Sequence, residues 1–301
     1  MRTIPGGALL LAGALLVGAC GGGSASDGKL DVVASFYPLA EAAARVGGTD
    51  VDVENLTRPG AEPHDLELTT RQVDDLLDAD LAVVMGRGFQ PDVEDVVDSR
   101  DQGTVTVLDA IGLRPGEVAA EGHEGEGLDP HVWLDPTRMA RIVGSIAAGM
   151  AKAEPAKRAA FARRAAAYEA ELDALTRRYR AGLAHCRSTT IVTSHAAFGW
   201  LARAFGLEQE SISGLSPEQE PDPRRLAQLV DLVRDDHVTT VFTETLVSPK
   251  VAETLAREAG IRTAVLDPLE GLSKARLAAG DDYVSVMDAN LKKLRTALGC
   301  T

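Results

Sequence analysis

The sequence predicts an α/β protein of two lobes, each a central four-stranded, mostly parallel sheet flanked by helices, joined by one long backbone helix. Three observations carry this expectation. From Leu30 to Ala110 short β-rich runs alternate with helical ones, a rhythm that implies βαβ units and a parallel sheet. The same rhythm returns from Thr190 to the C-terminus. Between them lies a long Ala/Arg/Glu-rich stretch with apolar residues at helical spacing: Phe161, Tyr168, Leu172, Leu175, Tyr179 and Leu183. Roughly 30 residues of helix reach about 45 Å at about 1.5 Å per residue, the length of both lobes.

Taken in order, Leu30–Phe36 reads as a strand and Leu39–Val46 as a helix ended by Gly47-Gly48. Val51–Leu56 is a second strand, and Thr69 or Thr70 caps a helix through Leu77. Leu81–Met85, a short helix Pro91–Asp98, and Thr104–Leu108 complete the first sheet. Leu113–Pro130 is rich in Gly and Glu, has no periodicity and reads as an acidic loop. A helix follows from Pro136 to Ala153, and Pro155 suits the first turn of the long helix. In the second lobe, strands are expected at Thr190–Thr193, Glu208–Ile212, Val238–Phe242 and Ile261–Leu266. Helices are expected at Ala196–Phe205, Pro223–Asp235, Pro249–Ala259 and Tyr283–Leu298. The lobes thus span 29–154 and 186–301, with the linking helix at 155–185.

The N-terminus carries Arg2, a short apolar run from Ala8 to Val17, and Val17-Gly18-Ala19-Cys20. The run is too short for a hydrocarbon core of roughly 30 Å, so residues 1–19 read as a secretory signal rather than a spanning helix. Its ending resembles the lipobox of bacterial lipoproteins, which implies lipidation at Cys20 and a Gly/Ser-rich tether over 20–28. Export leaves Cys186 and Cys300 as an even pair in an oxidising compartment, expected to form a disulfide, with two free thiols as the alternative. A net charge of −14 argues against a nucleic-acid partner.

His64, His131, His195 and Asp267 each read as lying just past a strand-like stretch, two in each half. In open α/β sheets, ligands bind beyond the carboxyl ends of the strands, so these four predict one metal ion held between the lobes. Each taken singly has an ordinary reading as a solvated or core residue; their like placement is what joins them. His185 and His237 fit helix ends, where a cation complements the dipole. His123, alone among glutamates in the acidic loop, is at most an accessory recruiter of metal.

The segments Gly60–Asp65, Asp129-Pro130-His131-Val132-Trp133-Leu134-Asp135-Pro136, Ser194-His195-Ala196-Ala197-Phe198-Gly199 and Leu266-Asp267-Pro268-Leu269 together resemble the zinc/manganese-binding lipoproteins of bacterial ABC importers (the ZnuA/TroA group). The resemblance runs from about Lys29 to the C-terminus. It implies a metal in the interlobe cleft, with His64, His131 and His195 as histidine ligands and Asp267 as the carboxylate. Glu244 then stands where it can orient a histidine. Where many zinc members carry a long His-rich loop, this chain has only His123.

Three imidazoles and one carboxylate suit Zn(II), and the Irving–Williams order favours it over Mn(II). Because histidine ligands must be neutral, binding is expected to weaken below about pH 6.5. The expected function is capture of Zn(II) outside the cell and delivery to an ABC-type permease. The protein is then a lipid-anchored monomer on the outer face of the cytoplasmic membrane, with no catalytic step. Closure is expected to be small, because one long helix is a stiff link. Alternatives are manganese or iron uptake, a secreted zinc hydrolase with a three-histidine site, and a surface adhesin or metal-dependent sensor. No His-Glu-x-x-His run supports the hydrolase.

Overall fold

The computed structural model describes residues 1, 28–101, 103–113, 128–219 and 221–301. The expected signal, Cys20, its tether and His123 lie outside the described residues. The first sheet contains β1 (Leu30–Ala34), β2 (Val51–Asn55), β3 (Leu81–Val84) and β4 (Gly103–Thr106) in the order β2-β1-β3-β4. All three pairings are parallel, with Leu30 opposite Val51, Val32 opposite Leu81, and Leu81 opposite Gly103.

Alternation along β1 sorts its side chains to two faces. Val32 and Ala34 join a core shared with α1 (Tyr37–Gly47), while Val33 packs with residues of α2 (Thr70–Asp78) and α3 (Pro91–Val97). Thr69 caps α2 in a reciprocal capping box with Gln72. The fourth strand ends at Thr106, two residues short of expectation, because Val107–Ala110 turns into a one-turn helix, α4.

Asp135 caps α5 (Pro136–Ala153), and after a 3-10 turn at Pro155–Lys157 the long helix α6 runs from Arg158 to Leu183. Its 26 residues reach about 39 Å. It packs on α1 and α5 of the first lobe and on α7 (Gly199–Phe205) of the second. The second sheet repeats the topology: β5 (Thr190–Thr193), β6 (Glu208–Ser211), β7 (Thr240–Thr243) and β8 (Arg262–Val265), in the order β6-β5-β7-β8 and all parallel. Helices α8 (Pro223–Asp235) and α9 (Lys250–Ala259) cover one face with Leu229, Val233, Leu255 and Ala256. The five-residue α10 (Lys274–Ala278), unforeseen in the sequence, precedes α11 (Tyr283–Leu298), which packs along α6.

The largest core is continuous from Val32 and Ile146 in the first lobe to Phe198, Leu266 and Met287 in the second. Cys186, just past α6, and Cys300, just past α11, are joined by a disulfide.

Candidate metal centre

Three imidazoles and one carboxylate converge between the two sheets: His64, His131, His195 and Glu270 offer ligand atoms that all lie within 4.8 Å of one another. Glu270 Oε1 is 3.4 Å from His64 Nε2, 3.4 Å from His131 Nε2 and 3.2 Å from His195 Nε2. The Nε2 atoms of His131 and His195 are 3.4 Å apart. For metal–ligand bonds of about 2.0–2.1 Å, the edge of a tetrahedron is about 3.3–3.4 Å. These four separations lie within about 0.1 Å of that edge. His131, His195 and Glu270 are fully buried. His64 Nε2 and Glu270 Oε2 are buried without a hydrogen-bond partner among the described residues, a costly state that a bound cation relieves.

Each side chain reaches the cleft by a different local device. His64 lies in the irregular segment between β2 and α2, its amide donating to Glu62 Oε1 at 3.1 Å and its ring edge-on to Phe89. His131 does not follow a strand directly, as the sequence suggested; it leads into a 3-10 turn at Val132–Leu134. Asp129 Oδ1 accepts from both the His131 amide (2.9 Å) and Nδ1 (2.8 Å), leaving Nε2 free to face the cleft. His195 follows β5, and the next helix begins only at Gly199, not at Ala196, because Thr193 and Gln209 side chains both donate to the His195 carbonyl. Glu244, directly after β7, accepts from the His195 amide at 3.0 Å and from Nδ1 at 2.6 Å. The expected contact between Glu244 and a histidine is therefore present.

Asp267, expected to complete the set, points elsewhere. Its Oδ1 accepts from the Leu269 amide at 2.8 Å, and its Oδ2 is held by the Arg276 guanidinium. Its backbone is clamped from both sides by Asn290, which accepts from the amide and donates to the carbonyl. These contacts fix a turn in which Leu269 takes the left-handed conformation (φ 56°), and the turn carries Glu270 into the cleft instead. Two residues, Pro268 and Leu269, separate the carboxylate past the strand end from the one among the imidazoles. The sequence pointed to the strand end; Glu270 becomes visible only once the Asp267–Leu269 turn is known. Asp129, two residues before His131, was the other missed partner.

The electrostatics of the cluster follow from its burial. Burial pulls the His195 pKa down, but the Glu244 and Glu270 carboxylates outweigh it and hold the ring charged to well above the ordinary value. His131 is likewise raised, burial being overcome by Asp129 and Glu270. At His64 burial prevails over Glu270, and its pKa is lowered. Glu270 is kept ionised well below the ordinary range: burial would raise it, but His195, His131 and His64 surround it. Burial and the nearby Glu270 charge push Glu62 up to about 9. The surrounding carboxylates thus favour positive charge at His195 and His131.

Compared with known proteins, residues 32–297 match the family described as the periplasmic zinc-uptake complex component A, ZnuA. The chain belongs to this family. Among its relatives, the zinc-binding lipoprotein AdcA of Streptococcus pneumoniae (strain TIGR4) is 40% identical over 299 residues, covering 95% of this chain and 60% of the relative. The high-affinity zinc uptake system protein ZnuA of Bacillus subtilis is 36% identical, covering 94% of each. This chain therefore spans about 60% of the length of the AdcA relatives and nearly all of the Bacillus one. Among solved structures, the Zn(II)-bound ZnuA-like domain of S. pneumoniae AdcA superposes with a TM-score of 0.76 at 37% identity, covering 90% of this chain and 99% of that domain. The two-lobe α/β architecture is common to the family members compared.

Proposed function

We propose that this protein is the solute-binding component of a zinc importer: it captures Zn(II) in the interlobe cleft and delivers it to an ABC-type permease. The observation that carries the reading is the set of 3.2–3.4 Å separations between Glu270 Oε1 and three imidazole Nε2 atoms, the length of edge that tetrahedral zinc coordination requires. In this reading His64, His131, His195 and Glu270 are the ligands. Asp129 and Glu244 hold His131 and His195 through Nδ1, so that each presents Nε2 to the ion and gains basicity. Four protein ligands leave no open coordination position of the kind a zinc hydrolase uses to activate water. Three imidazoles with one carboxylate favour zinc over manganese. Relatives named as lipoproteins and as zinc-uptake components support lipid anchoring through Cys20 on the outer face of the membrane. No helix among the described residues is long and apolar enough to cross a membrane.

The test is thermal unfolding of metal-stripped protein with Zn(II), Mn(II) or Fe(II), beside His195→Ala. Zinc at about 1,000 times its Kd stabilises the fold by about 4 kcal/mol. The reading requires a large shift with zinc that the variant loses. Equal shifts with all three metals, or none, would overturn it.

A further inference from the structure

The chain has only two tryptophans, and each donates a hydrogen bond across the cleft to a backbone carbonyl beside a residue of the metal cluster. Trp133, two residues after His131 in the first lobe, donates from Nε1 to the Pro268 carbonyl of the second lobe at 2.8 Å. Pro268 stands two residues before Glu270. Trp200, five residues after His195 in the second lobe, donates from Nε1 to the Asp129 carbonyl of the first lobe at 2.9 Å. The Asp129 carboxylate in turn holds His131. Both indoles are buried, at 0% and 2% exposure, so neither bond exchanges readily with water.

Followed residue to residue, these bonds close a ring. From His195 the chain reaches Trp200, which bonds Asp129; Asp129 holds His131; two residues on, Trp133 bonds Pro268; two residues further is Glu270, whose Oε1 returns to His195 Nε2 at 3.2 Å. Three of the four cluster residues are thereby linked through both lobes by steps of five residues or fewer. The ring is braced from outside. Tyr283 donates its hydroxyl to the Trp133 carbonyl at 2.5 Å, and the Arg138 guanidinium lies 4.1 Å from the Trp200 ring centroid.

We propose that Trp133 and Trp200 are a reciprocal pair of interlobe positioning residues that hold His131, His195 and Glu270 at tetrahedral spacing and so set how long the cleft retains its ion. The proposal rests on the zinc-capture reading. The indole N–H groups act through the backbone beside the ligands and do not touch the ion. Losing either donor leaves a buried carbonyl unpaired and opens the ring, letting the two halves of the ligand set drift apart.

The experiment compares Trp133→Phe and Trp200→Phe, each alone, with the wild type. Phenylalanine keeps an aromatic ring in the pocket and removes the donor. Zinc dissociation is followed by stopped-flow transfer to a chelator, and Co(II), loaded in place of zinc, reports coordination geometry through its visible absorption. Because each variant keeps one tryptophan, its fluorescence on metal addition reports on the remaining half of the ring. Expected for either variant are zinc loss at least about tenfold faster and Co(II) bands altered from the tetrahedral pattern of the wild type. Wild-type dissociation and wild-type Co(II) bands in variants with a lowered melting temperature would make the tryptophans ordinary core residues and overturn the proposal. If one variant does not fold, the other carries the test alone. A wild-type protein that gains no stability from zinc overturns the capture reading itself, an outcome visible before any variant is compared.

Discussion

Asp267 shapes a turn and Glu270 faces the imidazoles, so the two carboxylates respond differently to substitution. Asp267→Asn keeps the side-chain size but weakens the hold on Arg276 and on the Leu269 amide. We expect it to lower zinc affinity by about tenfold, the scale for groups that orient a ligand. Glu270→Ala removes the only carboxylate of the cluster and should cost considerably more, read by competition against a chelator of known affinity. Equal losses in the two variants, or a larger one at Asp267, would contradict these roles. The pH dependence is also set at this scale. His195 has a raised pKa, so in the metal-free protein its charge stabilises the fold below the ordinary imidazole value, and that contribution is lost as pH rises through the raised value. Glu270 has a lowered pKa, so its contribution is present above the ordinary carboxylate range and lost on acidification through the lowered value. In the proposed site zinc displaces the proton from His195. Its affinity should therefore climb by about tenfold per pH unit for each proton released, continuing above the ordinary imidazole value of 6.5. Titrations at pH 6, 7 and 8 check this, and an affinity already flat between pH 7 and 8 would contradict it. The three histidines drew attention in the sequence through their turn-rich or strand-end settings: Pro63-His64-Asp65 lies between β2 and α2, Asp129-Pro130-His131 leads into a 3-10 turn, and Ser194-His195 follows β5. Glu270 did not, because the left-handed turn at Leu269 that delivers it depends on Arg276 and Asn290, distant in the pattern and brought there only by folding.

Helices α6 and α11 run side by side, with Tyr179 donating to the Met287 carbonyl and Arg178 paired to Asp288, and the Cys186–Cys300 disulfide ties the chain just beyond both. The bridge closes a loop with a sequence separation of 114, for which chain entropy gives about 4–5 kcal/mol of stabilisation. Cys186→Ser with Cys300→Ser should lower the unfolding free energy by up to that amount in denaturant titrations while leaving zinc affinity unchanged, since neither cysteine is among the cluster residues. A large loss of affinity would mean that the bridge also positions the cleft. Most elements were legible because their apolar periodicity and caps agree, as at Thr69-Thr70-Arg71-Gln72 and Asp135-Pro136. The short helices α4 and α10 were not. Four or five residues carry too little periodicity to separate a helical turn from a strand end or a loop.

At the level of the whole molecule, the long helix and a core continuous through both lobes make the cleft a stiff clamp. Solution scattering of metal-free and zinc-loaded protein should therefore give radii of gyration within about 1 Å of each other, whereas a larger compaction on loading would indicate hinge closure. The repeated architecture was legible in the alternation of strand-like and helical runs, and the linking helix in the spacing from Phe161 to Leu183. The cross-cleft bonds of Trp133 and Trp200 were not, because they join residues 135 and 71 positions apart and involve backbone carbonyls, which leave no side-chain signature. The most direct measurement of the central claim is a crystal structure of the zinc-loaded protein with anomalous data at the zinc edge. The account predicts one strong peak about 2.0–2.2 Å from the Nε2 atoms of His64, His131 and His195 and from a Glu270 carboxylate oxygen, with Asp267 still bound to Arg276. A peak held by Asp267, or an ion bound outside the cleft, would contradict it.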